Sequence, residues 1–224
     1  MNALLVRHPG GRSSFAGRQT RSVTADHYFS AEPAGAARRG EIEFTVAGRA
    51  YKLAVASGVF SAGRLDPGTA VLLRKGALPG PATTGDLLDL GCGYGPIACV
   101  LATHAPGATV WAVDVNSRAR ELTAENASAL GVAVGVHAPD DVPGDLVFQQ
   151  IWSNPPTHVG KAEMHAMLQR WLPRLAPGGV AWLVINRNLG GDSLHTWLTG
   201  LGWHVERTAS QKGFRVLRVT QKTG

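Results

Sequence analysis

The run Ser153-Asn154-Pro155-Pro156 joins a side-chain amide to two consecutive prolines. Proline fixes φ and has no N–H, so the pair makes a rigid corner whose backbone carbonyls stay available as acceptors. Asn154 adds a carbonyl of its own. Together, Asn154 Oδ1 and the Pro155 C=O suit a planar NH2 group with two protons. Holding both N–H bonds aims the nitrogen lone pair at an electrophile, and orientation of this kind is worth several kcal/mol of barrier. No general base need act before such a transfer, because the proton can leave afterwards. Taken alone, the same residues would serve as a strand-ending turn.

A second group, Asp89-Leu-Gly91-Cys-Gly93-Tyr-Gly95, lies between an apolar run and a helical pattern. Glycines there let the backbone pass close to a ligand, and the helix start that follows offers free N–H groups. Asp114 ends the next apolar run, Val110-Trp-Ala-Val. An acid at that point would accept hydrogen bonds from both ribose hydroxyls of a nucleoside ligand. The dinucleotide fingerprint is G-x-G-x-x-G. Here the spacing is G-x-G-x-G, Pro96 takes the place of a glycine, and an extra acid, Asp89, precedes the first glycine by two. A nicotinamide site and a ligand-free turn are the competing readings.

These residues need a scaffold, and the pattern supplies one. Residues 41–46 and 51–55 alternate polar and apolar around Ala47-Gly48-Arg49, which predicts a β-hairpin. Asp66-Pro67 reads as a helix cap and first helical residue, with the helix over 69–78. From Asp86 onward strands and helices alternate. Strands are predicted over 86–90, 109–115, 132–137, 146–153 and 179–186, with helices over 96–104, 117–130, 161–175 and 192–201. Strands 204–210 and 214–220 flank a turn at Gln211-Lys-Gly213. The fold class is therefore α/β, a Rossmann-like doubly wound seven-stranded sheet with a terminal antiparallel hairpin, plus a small N-terminal hairpin and helix cap. Ligands of such sheets bind beyond the carboxyl ends of the strands, at the switch point beside the first. The predicted divisions are a basic tail over 1–25, the cap over 26–80 and a cofactor domain over 81–224.

Composition narrows the class. At 224 residues and 44% apolar, the chain can bury a core, and no apolar run is long enough to span a bilayer. Two cysteines, Cys92 and Cys99, form neither a disulfide framework nor a zinc spacing and read as buried residues of a reduced, cytoplasmic protein. The histidines show no metal spacing, so no metal is expected. The six tryptophans fall at core-like positions. The net charge of +6 is confined to residues 1–80, which hold 11 Lys/Arg against five Asp/Glu, while residues 81–224 hold 11 of each. A basic leading segment that includes Arg38, Arg39, Arg49, Lys52, Arg64, Arg74 and Lys75 suits phosphate contacts to RNA as well as simple solvation.

The glycine loop resembles motif I of class I S-adenosylmethionine-dependent methyltransferases. Asn154-Pro155-Pro156 resembles the N-P-P-[Y/F] motif of amino-group methyltransferases that act on nucleic-acid bases or on glutamine side chains. With Gly58-Val-Phe60-Ser61-Ala-Gly-Arg64-Leu-Asp66-Pro67-Gly-Thr69, residues 27–221 look like the small-domain group containing the bacterial small-subunit ribosomal RNA guanine-N2 methyltransferases. The best-known members carry a second, degenerate copy of the domain in front, and this chain has one.

The resemblance implies S-adenosyl-L-methionine as cofactor, with Asp89, Gly91, Gly93 and Gly95 at its methionine end and Asp114 at its ribose. It places Asp140, with Asp141 as the neighbouring choice, at the adenine amino group, and Phe60 and Ser61 in a cap over the cofactor. Asn154, Pro155 and Pro156 become the catalytic corner. The fourth motif residue is Thr157 instead of an aromatic, so His158, Phe60 or Phe29 would supply the missing face, and Thr157, His158 and Phe29 are the expected substrate contacts. The implied partner is ribosomal RNA or the 30S subunit; no oligomeric state follows. Other amines, namely adenine, protein glutamine or a small molecule, and a non-catalytic RNA-binding scaffold are the alternatives.

Overall fold

The computed structural model describes residues 39–57, 59, 64–156 and 160–222. Strands β1 (Arg39–Val46) and β2 (Arg49–Ala56) form the antiparallel hairpin, followed by α1 (Pro67–Lys75). Then come β3 (Gly85–Leu90), α2 (Pro96–His104), β4 (Ala108–Val113), α3 (Ser117–Leu130), β5 (Gly135–His137) and β6 (Phe148–Ser153). The chain ends with α4 (Lys161–Trp171), β7 (Leu175–Asn186), α5 (Gly191–Gly200), β8 (Trp203–Gln211) and β9 (Phe214–Gln221).

The main sheet has seven strands in the order β5-β4-β3-β6-β7-β9-β8. The first five are mutually parallel, and β9 runs antiparallel to both of its neighbours. The expected antiparallel strand therefore lies inside the edge: β8 takes the outside and β9 returns between it and β7. The chain winds outward from β3 through β4 to β5 and then resumes on the other side of β3. That reversal opens a crevice at the carboxyl ends of β3 and β6.

Alternating residues of the buried strands feed two apolar layers. Leu87, Val110, Trp152 and Trp182 face α1 and α2, while Leu88, Val113, Ile151 and Leu183 face α4 and α5. Val46 and Tyr51 of the hairpin join the first layer. The N-terminal segment thus packs on the same sheet face as α2.

Several boundaries differ from the sequence pattern for local reasons. Helix α4 stops at Trp171 and tightens into a 3-10 turn over Leu172–Arg174, because Pro173 has no N–H to continue the ladder. Strand β5 has only three residues: the Val132 N–H is spent on Ala127 O, closing α3 beside left-handed Gly131. Among the described residues no helix is long and apolar enough to cross a membrane.

Candidate active site

The glycine loop leaves β3 and is pinned across to β4. The N–H groups of Gly91 and Cys92 donate to Val113 O at 2.8 and 3.1 Å. Asp114 follows β4 directly and its carboxylate is buried. Its Oδ2 accepts from Gly93 N and its Oδ1 from Asn116 N, each at 2.9 Å. Burial still dominates and raises the Asp114 carboxyl above its ordinary value. Asp89 is wholly buried: its Oδ2 accepts from Ala98 N at 2.9 Å and its Oδ1 has no partner. Burial, with a smaller contribution from the Asp114 charge, pushes Asp89 up to about 8.

The three glycines of the loop are not equivalent. A Cβ on Gly91 or Gly93 would stand in open space, whereas one on Gly95 would meet the Thr123 side chain at 2.8 Å. Gly91 and Gly93 therefore line a cradle, and Gly95 lets the loop close on α3.

The Asn-Pro-Pro corner stands beside that cradle. Strands β3 and β6 are neighbours, and Ser153 Oγ donates to Leu90 O at 2.7 Å, tying their ends together. Pro155 and Pro156 are buried and Asn154 half-buried. A cleft at this edge is lined by Gly91, Asp114, Pro139, Pro156, Met167 and Trp171. It brings the loop, the acid after β4 and the proline corner onto one surface. A larger cavity of about 500 Å³ lies between α4, α5 and β8, around Trp197 and Trp203, and contains none of these residues.

The Asn154 amide is tied to the N-terminal segment. Its Nδ2 donates to Asp66 Oδ1 at 2.8 Å and to Thr69 Oγ1 at 3.0 Å. Asp66 Oδ1 also accepts from Thr69 N at 2.9 Å, capping α1 as the sequence implied. Between them lies Gly68, flanked by Asp66 and by the ring of Phe214. Sequence reasoning treated Asp66 and Thr69 as a helix start and Phe214 as a strand residue. Nothing local says that a cap also serves a residue 88 positions away.

Asp140 stands apart from the cleft, where Pro139 provides the lining. Its exposed carboxylate pairs with Arg170 at 2.8 Å, and Arg170 also donates to Pro139 O at 2.7 Å. Asp141 is likewise exposed. Phe29, Phe60, Ser61, Thr157 and His158 lie outside the described residues. Cys92 and Cys99 are free and buried, and burial raises both thiols, so neither offers a thiolate. In the basic segment, Arg39 pairs with Glu125 and Lys52 with Glu41.

The sheet order, the glycine loop and the corner after β6 define a Rossmann-like methyltransferase fold. Residues 50–218 match the family model for the methyltransferase small domain, and the chain belongs to that family. It is 31% identical over 198 residues to the uncharacterized protein YbxB of Bacillus subtilis (strain 168), covering 87% of this chain and 98% of that protein. It is 41% identical over 140 residues to ribosomal RNA small subunit methyltransferase C of Hahella chejuensis (strain KCTC 2396), covering 59% of this chain and 39% of that one. A solved structure of the T. thermophilus 16S rRNA N2 G1207 methyltransferase (RsmC), in complex with AdoMet and guanosine, matches with TM-score 0.67 at 24% identity. That match covers 85% of this chain and 52% of the other, and at this identity the likeness is one of fold. The chain spans about half or less of the length of these two ribosomal RNA methyltransferases.

Proposed function

We propose that this chain is an S-adenosyl-L-methionine-dependent N-methyltransferase acting on an exocyclic amino group, with guanine N2 of small-subunit ribosomal RNA as the acceptor. The observation that carries the reading is the shared surface of Gly91, Asp114 and Pro156 at the switch point. An activated-methyl cofactor and an amine held at Asn154 would meet there.

The residues present fit the cofactor. Gly91 and Gly93 leave open space where side chains would stand, and Asp89 Oδ1 is a buried polar atom without a partner. On this reading Gly91, Gly93 and Asp89 hold the methionine end, and Asp114 takes the ribose hydroxyls. Gly95, named with them from the sequence, acts through packing on Thr123. Asp140 takes the adenine amino group in exchange for Arg170. The bound cofactor supplies a methyl group on sulfonium, an electrophile that needs no metal or general base.

Asn154 Oδ1 and the Pro155 carbonyl hold the two N–H bonds of the acceptor amine and orient its lone pair. Pro156 fixes the corner. The roles of Phe60 over the cofactor and of Thr157, His158 and Phe29 at the acceptor rest on the sequence alone. Support for RNA comes from the named relatives and from the basic N-terminal segment.

The test is tritium transfer from labelled S-adenosylmethionine to unmethylated 30S subunits, naked ribosomal RNA, DNA and total protein in parallel. Label recovered as N2-methylguanosine from 30S or ribosomal RNA, lost in Asn154→Ala with cofactor binding retained, is the expected result. Label confined to DNA or protein keeps the amine chemistry and replaces the acceptor. Cofactor binding without transfer to any of the four overturns the reading in favour of a scaffold or an untested small amine.

A further inference from the structure

We infer that Asp66 and Thr69 are positioning residues for Asn154: they hold its carboxamide in one orientation, with both amide protons spent and Oδ1 left to accept from the substrate. The inference deepens the proposed function and rests on its reading of Asn154 as the contact to an acceptor amine.

A side-chain amide can present either end, and the two ends do opposite things to an NH2 group. Oδ1 accepts from it, whereas Nδ2 would set donor against donor. Here the choice is made by Asp66, which as a carboxylate only accepts. With Nδ2 toward Asp66 Oδ1 at 2.8 Å and Thr69 Oγ1 at 3.0 Å, both amide protons have acceptors. Flipping the amide would press Asn154 Oδ1 against the Asp66 carboxylate in a nearly closed site, where Asp66 is 9% exposed. An unpaired or repelled polar group is costly in such a place.

The clamp is itself anchored. Asp66 Oδ1 takes the Thr69 N–H at 2.9 Å, so the residue that fixes Asn154 is fixed by the first turn of α1. Pro67 starts that helix. Gly68 leaves the room: a Cβ there would stand 3.0 Å from Asp66 Oδ1 and 3.0 Å from the Phe214 ring. Asp66, Pro67, Gly68 and Thr69 thus each contribute to one device, which gives the segment ahead of the glycine loop a part in the chemistry.

Thr69→Val is the decisive substitution. It keeps the branched shape and the capping N–H and removes only the second acceptor; Asp66→Ala would also uncap α1. Two readouts apply to the full chain. The first is hydrogen exchange of the Asn154 side-chain amide, assigned from the signals lost in Asn154→Ala. The second is methyl transfer to the acceptor found above. Thr69→Val is expected to speed the exchange at least about 10-fold and lower kcat about 10-fold, with cofactor Kd and acceptor KM within about twofold. Thr69→Ser restores both. Unchanged exchange, or faster exchange with unchanged kcat, overturns the inference. If the wild-type chain transfers to no acceptor, the proposed function fails and the amide exchange alone decides the clamp.

Discussion

The carboxamide of Asn126 pairs with both backbone groups of Ala54, as a neighbouring strand would. Its Oδ1 accepts from Ala54 N at 2.7 Å and its Nδ2 donates to Ala54 O at 3.0 Å. The second Nδ2 proton goes to Tyr94 O in the glycine loop at 2.8 Å. One buried side chain on α3 therefore ties the free edge of β2 to the loop. Removing it strands three backbone groups, so Asn126→Ala should lose about 2–3 kcal/mol in urea unfolding. Asn126→Asp should lose at least as much, because a carboxylate has no proton for the two carbonyls.

The loop glycines divide into one packing residue and two lining residues, and substitution should separate them. All three have positive φ, between 59° and 84°. Gly95→Ala adds a clash with Thr123 to that strain and should cost about 2–4 kcal/mol of stability. Gly93→Ala meets nothing within 4 Å, so it should cost about 1–2 kcal/mol and leave a folded protein. On the proposed reading its methyl group occupies cofactor space, and S-adenosylmethionine affinity falls about 10-fold or more. Calorimetric melting and cofactor titration on the two variants distinguish these outcomes. A Gly93→Ala protein with full affinity would remove the loop from the cofactor site.

Stability should fall as pH rises, because Asp89 is harder to ionise in the folded chain than in the unfolded one. Its carboxyl goes from the ordinary value of 3.8 to about 8, chiefly through burial. The folded state therefore holds a proton that the unfolded state releases between those values. The associated stability is fully present below 3.8 and is lost as pH rises through about 8, with a slope approaching about 1.4 kcal/mol per unit. Asp114, raised by burial as well, adds to the same trend. Asp89→Asn should flatten the profile in urea unfolding from pH 5 to 8.5. A cationic cofactor beside Asp89 would favour its ionised form, so binding should release a proton below about pH 8. Calorimetric titration in buffers of different ionisation enthalpy would measure that release.

Strand-helix alternation was legible because β3 and β4 are short, mainly apolar runs punctuated by glycine and proline, and both main motifs fall at strand ends. Their meeting on one surface follows from the switch between β3 and β6, which any right-handed doubly wound order produces. Two features were missed. Helix α4 shows an apolar period past Trp171 that outweighed the stop signal of Pro173, whose missing N–H cuts the helix short. The second role of Asp66 depends on Asn154 reaching it from the end of β6. Its first role, as a cap, already accounted for an Asp before a proline. Long-range pairing between a cap and a strand end leaves no periodic trace in a sequence.

The surface pair of Asp140 and Arg170 sets up a competition that cofactor binding would have to resolve. Their side chains are 88% and 49% exposed, so the pair contributes little to stability, about 0–1 kcal/mol. Asp140 can take an adenine amino group only by giving up Arg170. Arg170→Met keeps an apolar stem while removing the charge, including the guanidinium that stands 5.5 Å from the Trp171 ring centroid. If Asp140 is the adenine contact, this variant should bind S-adenosylmethionine about two- to threefold tighter, with its melting temperature nearly unchanged. Asp140→Ala should bind about 10-fold weaker, a loss of about 1.4 kcal/mol. Equal affinity in Asp140→Ala and wild type would show that Asp140 plays no part in holding the adenine. The contact would then pass to Asp141 or to the apolar lining of the cleft, Pro139, Met167 and Trp171.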